Sequence, residues 1–281
     1  LHAKLHDEYA GIVDKVAVTV TSQADEVAKL TERGRAAFAA RDERVGGMTD
    51  ESMDTFYSCT MCQSFAPNHI CVITPERLGL CGAYNWLDGQ AAYEINTKGH
   101  NQPIMKGRPI DAKAGEYEGI NKFVYDHTNR TVERFSAYSM MQNPMTSCGC
   151  FECIVAVVPE ANGVMVVNRE YPGETPIGMA FSTLAGSVGG GLQTPGFLGV
   201  GRLYLTSRKF ISAEGGLGRL VWMPKELKEA LRERLEQRAN EAGLPGFVDQ
   251  IADETVATSS EQLIEFLTKV GHPAMAMESI L

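Results

Sequence analysis

No run of about 18 consecutive apolar residues occurs in the 281-residue chain, so no membrane-spanning helix is expected. No basic segment leads into an apolar stretch near the start, which argues against a secretory signal. Lys and Arg are nowhere concentrated, and the formal net charge is -9. A nucleic acid partner is therefore not expected, because phosphates need a dense basic face. The acidity itself mainly favours solubility. An even number of cysteines is also missing. Seven cannot close a complete disulfide set, and a chain this long buries enough surface to need none. Clustered cysteines in a chain with no export signal point instead to metal binding or catalysis, in a cytoplasmic setting. Internal repeats and low-complexity linkers are absent. The first residue is Leu1 rather than Met, which suggests a piece of a longer protein.

What is present is ordinary globular composition, 44% hydrophobic and 22% charged. A first helix is expected from Ser22 as N-cap, with Val27, Leu30, Thr31, Gly34, Phe38 and Val45 at helical spacing and Gly46-Gly47 as its end. A helical turn from about Thr49 to Tyr57 should follow. Two hairpins are expected: Lys122–Tyr125 with Thr131–Tyr138, and Ile154–Val158 with Val164–Val167. Arg202–Thr206 reads as a strand. Pro224 should open a helix carrying Leu227, Leu231 and Leu235, closed by Gly243 and Pro245. A last helix has Ser259 as cap, Leu263, Ile264, Leu267 and Val270 as its apolar face, and Gly271 as its stop. Helices at both ends with mixed, mostly antiparallel strands between them make the expected class α+β. Residues 1–48 read as a helical segment ending a preceding domain or linker, and 49–281 as one metal-cluster domain with the cluster held in loops.

Six of the seven cysteines fall into two groups. Cys59, Cys62, Cys71 and Cys81 lie within 23 residues, one Cys-x-x-Cys pair followed by single cysteines after eight and nine intervening residues. Four thiolates suit one zinc ion or an iron–sulfur cluster. Structural zinc usually takes two paired knuckles, so the spacing favours a cubane wrapped by a loop, with zinc or buried unligated thiols as alternatives. The second group is Cys148-Gly149-Cys150, with Cys153 three residues on. Two thiolates one residue apart can share an ion without strain if the intervening backbone joins in. The sulfurs of Cys148 and Cys150 with the amide nitrogens of Gly149 and Cys150 would then hold one ion in a plane, which points to nickel(II) or copper(II). Glycine in the middle leaves the backbone open to the metal and tolerates unusual φ/ψ. The plainer alternative makes Cys148, Cys150 and Cys153 small buried hydrophobes.

The runs Ser58-Cys59-Thr60-Met61-Cys62-Gln63-Ser64-Phe65-Ala66-Pro67-Asn68-His69, Cys71, Cys81-Gly82 and Cys148-Gly149-Cys150-Phe151-Glu152-Cys153 resemble the active-site domain of the acetyl-CoA synthase family. The resemblance implies that Cys59, Cys62, Cys71 and Cys81 ligate a [4Fe-4S] cubane. It also implies that Cys62, Cys148 and Cys150 surround a proximal nickel, and that Cys148, Gly149 and Cys150 hold a distal one. Copper or zinc can replace the proximal nickel. Phe65 matches an aromatic that limits access to the proximal metal, and Cys153 is left to the core. The implied reaction condenses carbon monoxide, a methyl group from a corrinoid iron–sulfur protein and coenzyme A, beside a carbon monoxide dehydrogenase subunit and with ferredoxin as a further partner. Oxidisable thiolates set this in a cytoplasm without oxygen. The competing readings are an iron–sulfur electron-transfer domain and a zinc-stabilised interaction module.

The remaining signals have plainer readings. Gly189-Gly190-Gly191 and Gly196-x-x-Gly199-x-Gly201 lack the lysine and hydroxyl of a phosphate loop and read as turns or close packing. His69 is expected to hydrogen-bond near the cysteines or to lie on the surface. Trp86 and Tyr84 either wall the cluster pocket or belong to the core. The charged segment Lys225–Glu241 reads as a solvated helix face.

Overall fold

A computed structural model describes residues 3, 6, 7, 13–15 and 19–281. The opening of the expected 1–48 helical segment thus lies largely outside the described residues. Among them are seven α-helices and nine strands, in an α+β fold as expected. In chain order the elements are α1 (Ala24–Glu43), β1 (Thr55–Cys59), β2 (Cys71–Ile73), α2 (Trp86–Ile95), β3 (Pro103–Met105), β4 (Pro109–Asp111), β5 (Glu116–Tyr117) and α3 (Glu118–His127). There follow β6 (Cys153–Val158), β7 (Gly163–Asn168), α4 (Phe181–Val188), β8 (Phe197–Val200), α5 (Arg202–Leu205), β9 (Leu220–Trp222), α6 (Lys225–Glu241) and α7 (Ser260–Val270). Three sheets result, ordered β2-β1-β3, β4-β5 and β8-β6-β7-β9. All pairings are antiparallel except β7 with β9.

The four-stranded sheet is the heart of the core. β6 and β7 read as unbroken apolar runs because both their faces are covered, and every residue from Gly163 to Asn168 is buried. Their hairpin was legible from those runs: Ile154 pairs with Val167 and Val158 with Gly163. Asn162 makes the turn at φ 48°, a conformation Asn tolerates.

The other expected hairpin is not there. Lys122–Tyr125 lies inside helix α3, whose Ile120 and Val124 are four apart and both fully buried, with Lys122 and Asp126 paired at 2.6 Å on the outer face. Thr131–Tyr138 has no regular structure; its amides bond instead to loop carbonyls, Ala137 to Gly115 and Tyr138 to Ala114. The segment Arg202–Thr206 holds the short helix α5 and its cap Thr206, not a strand. Its backbone closes locally, Tyr204 N–H on Gly201 O and Thr206 N–H on Leu203 O, while Tyr204 and Leu205 are buried.

The turn expected over Thr49–Tyr57 shrinks to a 3-10 turn at Asp50–Ser52, capped by Thr49, before β1 begins. α1 starts after Gln23, and no side chain caps it, Ser22 included. It ends at Glu43, ahead of Gly46-Gly47, and its Val27, Leu30 and Phe38 are exposed. The C-terminal helices match expectation. α6 follows Pro224, buries Leu227 and Leu235, and turns its charged residues outward apart from Lys228. In α7 the Ser259 hydroxyl accepts from Gln262 N–H, Leu263 and Leu267 are buried, and left-handed Gly271 ends the helix.

Candidate metal centre

β1 and β2 set the first two thiols side by side. In their antiparallel register Cys59 lies directly opposite Cys71. Past Cys59 the chain tightens into a 3-10 turn, Met61–Ser64, which carries Cys62; Phe65 and Ala66 donate their amides back to Cys62 O at 3.2 and 3.0 Å. From Cys71 the chain turns through a Thr74–Arg77 bridge and returns as a loop to Cys81. That loop is tied to the second group of cysteines, because Glu152 N–H donates to Leu80 O at 3.0 Å.

The loop 143–152 brings Cys148 close to Cys62, near enough for each thiol to act on the other's protonation. Gly149 has φ +94°, where a residue with a Cβ is strained, and its would-be Cβ meets nothing within 4 Å. The need for glycine here is therefore conformational. In that turn the Cys150 amide folds back to within 3.3 Å of Cys148 Sγ. Two neighbours missed in the sequence fix the loop. Arg169 donates to the carbonyls of Gly149 and Phe151 at 3.2 and 2.9 Å. Phe151 is buried edge-on to Phe181, 5.8 Å between ring centroids, over Gly199, where a Cβ would come within 2.5 Å of the Phe151 ring.

The glycine run read as close packing lies against this loop. Gly191 N–H donates to Ser147 O at 2.7 Å, and a Cβ on Gly191 would come within 3.2 Å of the His69 amide nitrogen. His69 is fully buried. Its Nε2 lies 3.2 Å from Cys71 Sγ and its Nδ1 3.0 Å from Thr146 Oγ1. Burial pushes its pKa down to about 4, so the ring is neutral and links β2 to the Cys148 loop. Phe65, at the end of the 3-10 turn, is exposed. Trp86 belongs to the core: its Nε1 donates to Thr55 O, and it stands edge-on to Tyr57. Tyr84 is half-buried, its carbonyl accepting from Gly79 N–H inside the Cys81 loop. Cys153 is fully buried in β6, as expected.

The thiols lie close enough to act on one another. Burial pushes Cys59 up to about 11, with the charges of Cys81 and Cys148 adding to the rise. Burial likewise pushes Cys148 up to about 12, helped by Cys62 and Cys150. Cys71 stands well above the ordinary thiol value, through burial first and then Cys59, Cys148 and Cys81. Without a cation beside them these sulfurs stay protonated. Among the described residues no trio of His, Cys, Asp or Glu converges as a site for a single metal ion.

Residues 38–281 match the family described as the C-terminal part of the ACS/CODH beta subunit. The chain belongs to this family. Carbon monoxide dehydrogenase/acetyl-CoA synthase subunit alpha of Moorella thermoacetica is 51% identical over 282 residues, covering 100% of this chain and 39% of that protein. The acetyl-CoA decarbonylase/synthase complex subunit beta of Methanopyrus kandleri is 46% identical, covering 96% of this chain and 56% of that protein. The solved C-terminal domain of an acetyl-Coenzyme A synthase alpha subunit, 51% identical, covers 48% of this chain and 100% of its own, with TM-score 0.46. This member of the ACS/CODH beta C-terminal family thus spans 39% and 56% of those two relatives' lengths. No helix among its described residues is long and apolar enough to cross a membrane.

Proposed function

We propose that this chain is the cluster-bearing part of a CO-methylating acetyl-CoA synthase, an acyltransferase that joins carbon monoxide, a corrinoid-derived methyl group and coenzyme A. The observation that carries this reading is the closeness of Cys62 to Cys148, each near enough to shift the other's protonation, which brings the four-cysteine loop to the Cys148-Gly149-Cys150 turn. Cys59, Cys62, Cys71 and Cys81 would hold a [4Fe-4S] cubane. Cys148 and Cys150, with the amide nitrogens of Gly149 and Cys150, would hold a distal nickel. Cys62, Cys148 and Cys150 would surround a proximal one. When bound, these metals supply the carbon–carbon bond-forming chemistry, so no side-chain acid–base pair is required.

The polypeptide's part is placement. Arg169 and Phe151 fix the tripeptide turn, His69 ties Cys71 to the Thr146 segment, and Phe65, exposed beside the Cys62 turn, would limit access to the proximal metal. Residues 49–281 would form the catalytic domain, with 1–48 leading in from a preceding one. A carbon monoxide dehydrogenase subunit, a corrinoid iron–sulfur protein and ferredoxin would be partners, in an anaerobic cytoplasm. Anaerobic metal analysis tests this directly, with about two nickel expected for every four iron. Copper or zinc in the proximal position would lower the nickel count without changing the iron. Iron alone would mean an electron-transfer domain, and zinc in colourless protein an interaction module.

A further inference from the structure

Arg169 follows β7 and carries its ladder one step past the Cys153–Asn168 pair, its own amide donating to Glu152 O at 3.1 Å. From that fixed base the side chain reaches the loop that leads into β6. Nη2 donates to Phe151 O at 2.9 Å and to Gly149 O at 3.2 Å, and the guanidinium stands 5.7 Å from the Phe181 ring centre. Two neighbouring carboxylates do not take up this charge. Glu170 accepts from Arg202 Nη2 at 2.7 Å and from Asn168 Nδ2 at 2.8 Å, and the Glu152 carboxylate accepts the Arg202 amide at 2.8 Å. Among the described residues no carboxylate pairs with Arg169, because Arg202 engages both neighbours. The arginine is spent on main-chain oxygens of the cysteine loop instead.

Gly149 O is a special acceptor in the chelate proposed above. It is conjugated with the Cys150 nitrogen, which folds back to within 3.3 Å of Cys148 Sγ. A peptide nitrogen binds a metal ion only after losing its proton, and resonance then spreads the negative charge onto the carbonyl oxygen. A hydrogen bond from a cation is strongest to an acceptor that bears charge. We propose that Arg169 is a positioning residue for the distal nickel, its guanidinium stabilising the charge that the Gly149–Cys150 peptide takes on when its nitrogen binds metal. The inference rests on the planar reading of Cys148-Gly149-Cys150 and adds to it a residue outside the tripeptide. The bond to Phe151 O has a different part. The nitrogen conjugated with that oxygen belongs to Glu152 and binds no metal in this reading, so the bond only keeps arginine and loop in register. Charge and clamp therefore respond differently to substitution.

The test uses the anaerobically iron-loaded chain titrated with nickel alone, with planar nickel(II) read from its X-ray absorption edge. Arg169→Met and Arg169→Gln remove the charge, and Arg169→Lys keeps it. Both neutral variants should bind planar nickel about 10–100-fold more weakly, the usual cost of removing a group that hydrogen-bonds a metal ligand. Iron content should not change, and Arg169→Lys should lie closest to wild type. Nickel loading should also raise the unfolding temperature less in the neutral variants than in wild type. Equal nickel affinity in wild type and both neutral variants would overturn the proposal. A loss shared equally by all three variants would overturn it too, since a clamp without an electrical part gives that result. Should Arg169→Met fail to fold, Arg169→Gln against Arg169→Lys decides by the same criteria. Wild type that takes up no planar nickel would sink the chelate reading itself, a different outcome from planar nickel indifferent to Arg169.

Discussion

His272 should make stability fall as the solution is acidified through weakly acidic pH. Its ring is almost fully buried beside Phe247, 5.2 Å between centroids. Nδ1 accepts from Ala274 N–H at 3.2 Å and Nε2 faces Leu220 O at 3.1 Å, so the folded ring carries its single proton on Nε2. A second proton would face an amide hydrogen and lose that bond. Burial accordingly pushes the pKa from 6.5 to about 4. The sign follows from which state takes the proton. Above pH 6.5 the ring is neutral folded or unfolded, and the stability is complete. Between 6.5 and about 4 the unfolded chain is protonated and the folded one is not, so stability drops by about 1.4 kcal/mol per pH unit, reaching about 3 kcal/mol. Urea unfolding at pH 7.5, 6 and 5 measures the slope. His69, also buried and neutral, adds a loss of the same sign, so the comparison that matters is with His272→Gln. The variant should lose about one proton's worth of slope. Equal slopes in the two proteins would refute the reasoning.

The remaining expectations concern the Cys148 loop. Cys150→Ser should lose nickel while iron content and cubane absorbance stay, and equal loss of both would erase the division into two sites. Gly149→Pro removes an amide nitrogen and forces φ from +94° toward about -65°, so nickel should disappear. Unchanged nickel in that variant would mean the backbone does not bind metal. Gly199→Ala puts a methyl within 2.5 Å of the Phe151 ring and 2.9 Å of Ser147 Oγ, which should cost about 1–3 kcal/mol and reduce nickel uptake. Denaturant midpoints and nickel assays that match wild type would show that Phe151 does not anchor the loop.

The grouping of the cysteines was more legible in this sequence than the individual elements between them. The grouping of six cysteines needs only their spacing, and the structure joins both groups through Cys62 and Cys148. The β6–β7 hairpin was legible because strands covered on both faces are apolar throughout. α3 was misread because Lys122–Tyr125 viewed alone looks extended; its helical period appears only when Ile120 and Val124 are counted together. α5 was hidden for a similar reason, four residues being too few to show a period. The partners of Arg169, Arg77 and Phe151 leave no local mark at all. Each acts across a long sequence gap, as when Arg77 reaches Ala137 or Phe151 fills the space over Gly199, and such partners emerge only once the chain is folded.

The strand register between Cys59 and Cys71 bears on how the centre would be built. Two of the four proposed iron ligands are set abreast by the main-chain ladder of β1 and β2. Cys62, Cys81 and Cys148 ride on turns and loops instead. If these cysteines do hold iron, the paired strands would fix the spacing of two ligands while the turns set that of the others, so the site's width would be decided by sheet register as much as by loop length.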